Sequence, residues 1–142
     1  MNVRDILTRP LVTIPSGLTV LDAAKRMVGE NLGLLVVCDG NDVSRLVGVV
    51  SERDIIRAVT AGKNLSSRVD EISTRQVITV RADANVGEAA KAMNKHGIRH
   101  VVVIDEQDTL VGVVSMRDLV GERATLNAIL QSHEKDVFVG GD

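Results

Sequence analysis

Short apolar stretches alternate with amphipathic segments along this chain of 142 residues. Runs rich in β-branched residues at 11–14 and 77–80 predict short strands. Apolar residues at helical spacing follow each run. In the first helix they are Val20, Ala23, Ala24, Met27 and Val28, and in the second Val86, Ala89, Ala90 and Met93. Two apolar strands come next in each half, at 34–38 and 46–50 and at 101–104 and 110–114. A last helix is expected from Ser51 or Ser115, so the pattern predicts β-α-β-β-α twice.

The ends of the first helix in each half carry recognisable signals. The expected N-caps and their capping-box partners are Thr19 with Asp22 and Asn85 with Glu88. Glycine is the usual residue where a helix ends in a left-handed conformation. The expected helix ends are Gly29 and Gly33 in the first half and Gly97 in the second.

The two halves are copies of one unit. A shift of 66 residues, falling to 64 after Asp42, aligns 53 pairs, of which 22 are identical. The sequence therefore predicts an α+β fold in which two repeats pack their sheets together about a pseudo-two-fold axis. Its expected parts are repeat 1 (1–62), a linker (63–73) leading into repeat 2 (69–123), and a C-terminal helix end and tail (124–142).

Composition excludes several classes of function. The chain is 44% hydrophobic but has one Phe and no Tyr or Trp, so its core is aliphatic and it lacks stacking platforms for nucleic acid. The formal charge of −2 also argues against a polyanionic partner. No apolar stretch is long enough for a membrane span, and residues 1–10 show no apolar signal segment. A cytoplasmic protein is expected. The single cysteine, Cys38, is expected to be a small core residue beside Ile104.

The most similar stretch of the two repeats is a strand-to-helix step. It reads Gly-Val-Val-Ser-Glu-Arg-Asp at 48–54 and Gly-Val-Val-Ser-Met-Arg-Asp at 112–118. Ser-x-x-Asp at such a junction is first a capping box. The same serine can donate to a phosphate, and the aspartate can accept from the vicinal hydroxyls of a ribose. Gly48 and Gly112 are expected to let a flat base approach the strand.

These residues identify a family resemblance. The chain resembles a tandem pair of cystathionine β-synthase (CBS) domains, the Bateman module, over residues 3–123. The likeness rests on the two strand-to-helix steps and on Gly-Ile-Arg-His-Val-Val-Val-Ile-Asp at 97–105. It implies a non-catalytic sensor of adenosyl ligands, with two clefts that each draw on both repeats. The first cleft would use Val49, Ser51, Asp54, Val77, Ile78, Ile98, Arg99, His100 and Arg117. The second would use Leu11, Val12, Leu32, Gly33, Leu34, Arg53, Val113, Ser115 and Asp118.

The two clefts are not equivalent in sequence. Arg99 and His100 correspond to Gly33 and Leu34 in the first repeat, so only one cleft entrance offers charge to a phosphate. We expect a tight, phosphate-selective site at Asp54, Arg99 and His100. The Asp118 cleft should be weaker unless Arg99 or His100 reaches across the pseudo-two-fold axis. Affinity should rise as pH falls through the pKa of His100, near 6.5 if unperturbed.

Other chemistries have little support in the sequence. Neither a P-loop nor a Gly-x-Gly-x-x-Gly turn occurs. His96 and His100 have metal-ligand spacing, but Gly97 between them should break the helix, so no metal site is expected. The expected function is non-catalytic sensing of AMP, with ADP or ATP competing and no catalytic cofactor. The alternatives are a dimerisation scaffold with empty clefts, or a sensor of S-adenosylmethionine or NAD. The resemblance further suggests a homodimer packed through helix faces and acting on a separate effector protein.

Overall fold

The fold consists of two β-α-β-β-α repeats, as the hydrophobic pattern predicts. The computed structural model describes residues 1–7 and 9–131, apart from the side chains of 122–126. The predicted tail at 136–142 lies outside the described residues. Repeat 1 contains β1 (Thr13–Pro15), α1 (Val20–Glu30), β2 (Leu34–Asp39), β3 (Asp42–Ser51) and α2 (Glu52–Thr60). Repeat 2 contains β4 (Thr79–Arg81), α3 (Val86–His96), β5 (His100–Ile104), β6 (Leu110–Ser115) and α4 (Met116–Val120), followed by α5 (Glu122–Gln131).

Each repeat forms its own three-stranded sheet. The strand orders are β1-β2-β3 and β4-β5-β6. In both sheets the first strand runs parallel to the second, and the second runs antiparallel to the third. Val36 pairs with Val49, and their repeat mates Val102 and Val113 pair in the same way. The internal duplication is therefore preserved in the register of the strands.

The two sheets face each other across an aliphatic layer. Buried Val36, Cys38 and Val102 form its centre, with partly buried aliphatic side chains from both repeats around them. Cys38 is only 1% exposed and packs in the same layer as Ile104, which confirms its prediction as a core residue. Because both sheets bury one face here, the repeats form one body rather than two separate domains.

Each repeat also has its own core, completed by a segment from outside it. Val3, in a short 3-10 helix at Val3–Ile6, is fully buried in the core of repeat 2, and its N–H donates to the carbonyl of Ala84 at 2.8 Å. Val69 is fully buried in the core of repeat 1, and its N–H donates to the carbonyl of Leu18 at 2.7 Å. The chain before β1 is thus anchored on the opposite repeat.

The helix caps agree with prediction in part. Thr19 and Asp22 form the expected capping box. Asn85 caps α3, but its side chain accepts from the N–H of Gly87, so the predicted box with Glu88 is wrong. Asparagine readily bonds a backbone N–H two residues on, which accounts for the difference. Gly97 ends α3 in a left-handed conformation (φ 63°), as expected.

Helix α1 differs from expectation in two respects, its C-terminal end and the exposure of Val28. Helix α1 ends at Glu30 with Asn31 in the left-handed region (φ 54°), so Gly29 and Gly33 do not end it. Asparagine tolerates that conformation better than most residues, and Asn31 precedes Gly33 along the chain. Val28 is 84% exposed rather than on the core face.

The first strand of each sheet begins later than predicted. Strands β1 and β4 begin at Thr13 and Thr79, two residues after the predicted starts at 11 and 77. The residues before them instead pack as connectors: Leu11 and Val77 contact the layer between the sheets. This placement brings the chain before each strand to the boundary between the repeats.

Candidate functional site

The two strand-to-helix steps have nearly the same local geometry. In repeat 1 the N–H of Ser51 donates to Asp54 Oδ2 at 2.8 Å, and the N–H of Asp54 donates to Ser51 Oγ at 3.2 Å. Ser115 and Asp118 make the same two hydrogen bonds at the same distances. Both pairs are therefore capping boxes, so the structural role predicted for these residues is confirmed.

The two aspartates differ in the cation that each one faces. Arg9, which precedes β1, places Nη2 3.3 Å from Asp118 Oδ1 and 3.5 Å from Oδ2. Asp54 instead faces Arg57 Nη1 at 3.9 Å, one turn along its own helix. The Asp118 pair joins opposite ends of the described chain, whereas the Asp54 pair is local. Only the former can link one repeat to the other.

A cleft opens between the repeats beside Asp118. Its empty volume, counting the space at its mouth, is about 430 Å³. Seven of the residues expected in the second cleft line it, namely Leu11, Val12, Leu32, Gly33, Leu34, Val113 and Ser115. Arg9, Pro10 and His100 complete the lining. The structure therefore brings most of the second predicted set together in one concave site. The other two expected residues do not line it, although Asp118 bonds Arg9 at its edge and Arg53 lies exposed in the first turn of α2.

His100, which was expected in the first cleft, lines this second cleft. A Cβ built on Gly33 would lie 3.5 Å from Cε1 of the His100 ring. The ring of His100, which belongs to repeat 2, therefore lies close to Gly33 of repeat 1 across the pseudo-two-fold axis. This crossing was the condition under which the Asp118 cleft would not be the weaker one.

The surroundings of His100 favour its neutral form. Burial lowers the pKa of His100 below its usual value, and the positive charge of Arg9 lowers it further. The carboxylates of Asp118 and Glu52 act in the opposite direction, while Arg99 adds a smaller lowering effect. The ring thus lies between two cations and two anions, and an added anion in the cleft would raise its pKa.

The expected first-cleft residues are more dispersed. Val49 pairs with Thr74 through two backbone hydrogen bonds of 2.9 and 2.7 Å, and Val77 packs beside it in the layer between the sheets. Ile78 and Ile98 pack against the core of repeat 2. Arg99 and Arg117 line a wide groove between helix faces, which shares Gly33 and His100 with the second cleft.

The repeated glycines of β3 and β6 have a different role from the one expected. A Cβ on Gly48 would lie 2.5 Å from the carbonyl oxygen of Thr74, and one on Gly112 would lie 2.9 Å from Cδ2 of Leu7. The bare face of each strand is therefore covered by the chain that leads towards β4 or β1, so the expectation that a flat base approaches there is wrong.

Arg9 is the cleft residue that the sequence analysis missed. It lies in a connector and belongs to no motif, so the residue type alone carried no signal. The one available signal was its identity with Arg75 in the aligned repeats.

Among the described residues no cluster of three or more His, Cys, Asp or Glu could hold a metal ion. Within the same part of the chain, no helix has the length and apolar character to cross a membrane.

Comparison with known families explains the duplication. The model of the CBS domain matches residues 3–61 and again residues 69–124. The chain belongs to the CBS domain family. The matched ranges include the Ser-x-x-Asp steps of both repeats, and the resemblance inferred from sequence is confirmed. The expected α+β fold of two packed repeats is confirmed as well, since solved CBS domain pairs superimpose on it.

Two solved CBS domain structures carry adenosyl ligands. The CBS domain protein PAE2072 from Pyrobaculum aerophilum, complexed with AMP, is 38% identical with a TM-score of 0.82, covering 92% of this chain and 99% of that one. The CBS domain pair of protein MJ0100, in complex with 5′-methylthioadenosine and S-adenosyl-L-methionine, is 34% identical with a TM-score of 0.75, covering 84% and 96%. Both of these similar proteins therefore bind adenosyl compounds.

Curated relatives vary in length. An uncharacterized 17.7 kDa protein of Acidianus ambivalens is 37% identical over 118 residues, which is 83% of this chain and 70% of the relative. Several relatives with enzyme names are matched over only 22% or 23% of their length. The similarity to those enzymes is thus confined to a segment of the size of this CBS pair.

Proposed function

We propose that this CBS pair is a non-catalytic regulatory module that binds an adenine nucleotide, with AMP as the preferred ligand and ADP or ATP as competitors. The observation that carries the proposal is the cleft beside Asp118, which both repeats line and which holds Arg9 and His100 next to Ser115. Its apolar walls suit an adenine ring, and its polar groups suit a ribose phosphate.

The division of the lining gives each part of the ligand a partner. Leu11, Val12 and Leu34 of repeat 1 provide an apolar surface for the base. Asp118 would accept hydrogen bonds from the vicinal ribose hydroxyls. The Ser115 hydroxyl, Arg9 and His100 would hold the phosphate. The AMP complex of the similar Pyrobaculum aerophilum protein supports this class of ligand.

The charge of the cleft favours a phosphate over a sulfonium. Arg9 lies within the cleft and Arg99 and Arg117 line the adjoining groove, so a nucleotide phosphate meets positive charge there. S-adenosylmethionine carries a positive charge at sulfur and would be repelled. It remains the alternative ligand, because the similar MJ0100 pair binds it.

The position of His100 supports a different ranking of the two clefts from the one expected. The tight site was expected at Asp54, on the assumption that Arg99 and His100 line that cleft. His100 lines the Asp118 cleft, and Arg9 supplies a cation there. We therefore assign the stronger, phosphate-selective site to Asp118 and the weaker one to Asp54.

Regulation would follow from the position of the ligand between the repeats. A nucleotide that contacts Leu11 of repeat 1 and Ser115 of repeat 2 favours the relative orientation in which both contacts form. It shifts the population of orientations only as far as its affinities for them differ. A separate effector protein would bind one orientation of the repeats more tightly than another.

The alternative is a dimerisation scaffold with empty clefts. Its support is the apolar character of exposed helix faces: Val28 on α1 is 84% exposed and Ile56 on α2 is 61% exposed. Both side chains line the same wide groove, together with Met116. A second copy of the chain packed on this face would cover them and form the homodimer that the family resemblance suggests.

Calorimetric titration of the purified protein separates the two functions. With AMP we expect one dominant site per chain with micromolar affinity, and weaker binding of S-adenosylmethionine and NAD. The sample must first be shown to be folded and free of co-purified nucleotide. No heat with AMP, ATP, S-adenosylmethionine or NAD would exclude the sensor and leave the scaffold.

The pH dependence of AMP affinity should report on His100. Because burial lowers its pKa, the ring is neutral in the free protein at pH 7, and a bound phosphate raises its pKa again. AMP binding should then take up a proton, so affinity rises as pH falls through the raised pKa of the bound ring towards the lowered pKa of the free ring. The charged groups that face the ring are Arg9, Arg99, Asp118 and Glu52.

The control is His100→Gln, measured with AMP over pH 5.5 to 8. Protonation of the phosphate itself affects both proteins, so the difference between the two profiles isolates the ring. Identical profiles would mean that His100 does not contact the phosphate.

A further inference from the structure

Arg9 joins the two repeats at the edge of the cleft. Its guanidinium lies 3.3 and 3.5 Å from the two Asp118 oxygens, which are 109 residues away along the chain. The Arg9 side chain is 46% exposed, while that of Asp118 is 15% exposed. The same arginine lines both the cleft and the adjoining groove. Within the described residues Asp118 is its one side-chain partner, and its exposure leaves space to turn towards the cleft.

The pair occupies the acceptor that a ribose would need. Asp118 Oδ2 already accepts the Ser115 N–H at 2.8 Å, and Oδ1 is the oxygen closer to Arg9. Vicinal hydroxyls that donate to Asp118 would compete with the guanidinium. Because the pair is long and partly exposed, its disruption costs little.

A phosphate in the cleft offers Arg9 a better partner. A phosphate monoester carries more negative charge than a carboxylate and presents several oxygens to the planar guanidinium. An arginine displaced from Asp118 would thus be released next to the group it binds best. A nucleoside without a phosphate would displace Arg9 from Asp118 and would offer its guanidinium no new partner.

We propose that Arg9 is the phosphate-selectivity residue of the Asp118 cleft, exchanging the carboxylate of Asp118 for the phosphate of the ligand when the ribose binds. This proposal rests on the proposed function and deepens it. It assigns a role to a connector residue outside both repeat motifs. It also makes the ion pair between the repeats a feature of the empty cleft.

The repeat mate of Arg9 has no equivalent position. Arg75 donates through Nη2 to the backbone carbonyl of Asp70 at 3.4 Å, five residues earlier in the chain. Asp54, which would be its counterpart partner, faces Arg57. The exchange is therefore available in one cleft, and Arg75 is a matched control for a change at Arg9.

The test compares AMP and adenosine on three proteins by calorimetric titration: wild type, Arg9→Gln and Arg75→Gln. For Arg9→Gln we expect AMP affinity to fall by about tenfold or more, as for the loss of a charge-assisted bond. Adenosine affinity should stay the same or rise, because Asp118 no longer has a competitor. Arg75→Gln should leave both affinities within about twofold of wild type.

Three results would overturn the assignment. An equal fall for AMP and adenosine would make Arg9 structural, and thermal unfolding of the variant would show the matching loss of stability. An equal rise for both ligands would make Arg9 only a competitor for Asp118. Unchanged AMP affinity would remove any role in the cleft. If wild type binds neither ligand, the proposed function itself fails, which is distinct because it appears without any substitution.

Discussion

Asp118→Ala should lower AMP affinity by about 10- to 100-fold, while Asp54→Ala should change it by less than about threefold. The larger effect is expected because Asp118 borders the cleft that holds Arg9 and His100. Hydrogen bonds from the two ribose hydroxyls to a charged carboxylate are worth about 1.5 to 3 kcal/mol. Asp54 has nearly the same local geometry but faces Arg57 of its own helix rather than Arg9.

A second ligand shows whether the lower affinity of Asp118→Ala is due to lost hydrogen bonds from the ribose hydroxyls. Dideoxy-AMP, which lacks both hydroxyls, should bind wild type more weakly than AMP does. Asp118→Ala should bind the two nucleotides with nearly equal affinity, since the acceptor for the hydroxyls is gone. Continued preference for AMP in the variant, or a larger loss in Asp54→Ala, would contradict the assignment of the cleft.

A loss of AMP affinity caused by lower folding stability must be distinguished from one caused by the loss of a ligand contact. Asp118 accepts the Ser115 N–H at 2.8 Å, so its loss should cost about 1 kcal/mol of folding free energy. Asp22 accepts the N–H of Thr19 at 2.9 Å in the capping box of α1 and does not line the cleft. Asp22→Ala should therefore show a similar loss of stability with unchanged AMP affinity, measured by denaturant unfolding and titration.

The chain that lines the cleft at Arg9 also joins the core of repeat 2 to the first strand of repeat 1. Val3 anchors the chain on repeat 2, and that same chain continues through Arg9 into β1 of repeat 1. A ligand that moves Arg9 from Asp118 therefore acts on the connector that joins the two repeats. Coupling between the cleft and a partner surface would require the two arrangements to differ in affinity for that partner.

The elements and the paired capping boxes were predictable because their signals are local. Ser115 and Asp118 are three residues apart, and the duplication doubles the signal. The position of His100 was not predictable, because it lies beside Gly33 of the other repeat and that contact is made only in the folded chain. The pairing of Arg9 with Asp118 joins a connector to a helix across the fold, and no spacing in the sequence encodes it.

The packing neighbours of Gly48 were likewise not predictable from the sequence. Its identity with Gly112 suggested one shared role, yet the two glycines contact different kinds of atoms. Gly48 faces the backbone of Thr74, whereas Gly112 faces the end of the Leu7 side chain. Repetition in sequence predicted that the position is crowded or approached closely, but the identity of the neighbour required the fold.

Gly48→Ala should destabilise the protein by about 3 kcal/mol, and Gly112→Ala by about 1 kcal/mol or less. The new methyl at 48 would lie 2.5 Å from the Thr74 oxygen and 3.1 Å from its carbonyl carbon. Backbone atoms cannot rotate away, so the two hydrogen bonds between Val49 and Thr74 would have to lengthen or break. At 112 the contact is 2.9 Å to a leucine methyl, which a change of rotamer can relieve.

Denaturant unfolding of the two variants in parallel measures this difference, and AMP titration adds a functional readout. Thr74 leads into Val77, which belongs to the expected first cleft, so Gly48→Ala should disturb that cleft and not the one beside Asp118. Under conditions where the variant is folded, its AMP affinity should remain within about threefold of wild type. Equal destabilisation by both substitutions would show that the segment around Thr74 yields as easily as a side chain. Loss of AMP binding in Gly48→Ala alone would place the dominant site in the first cleft.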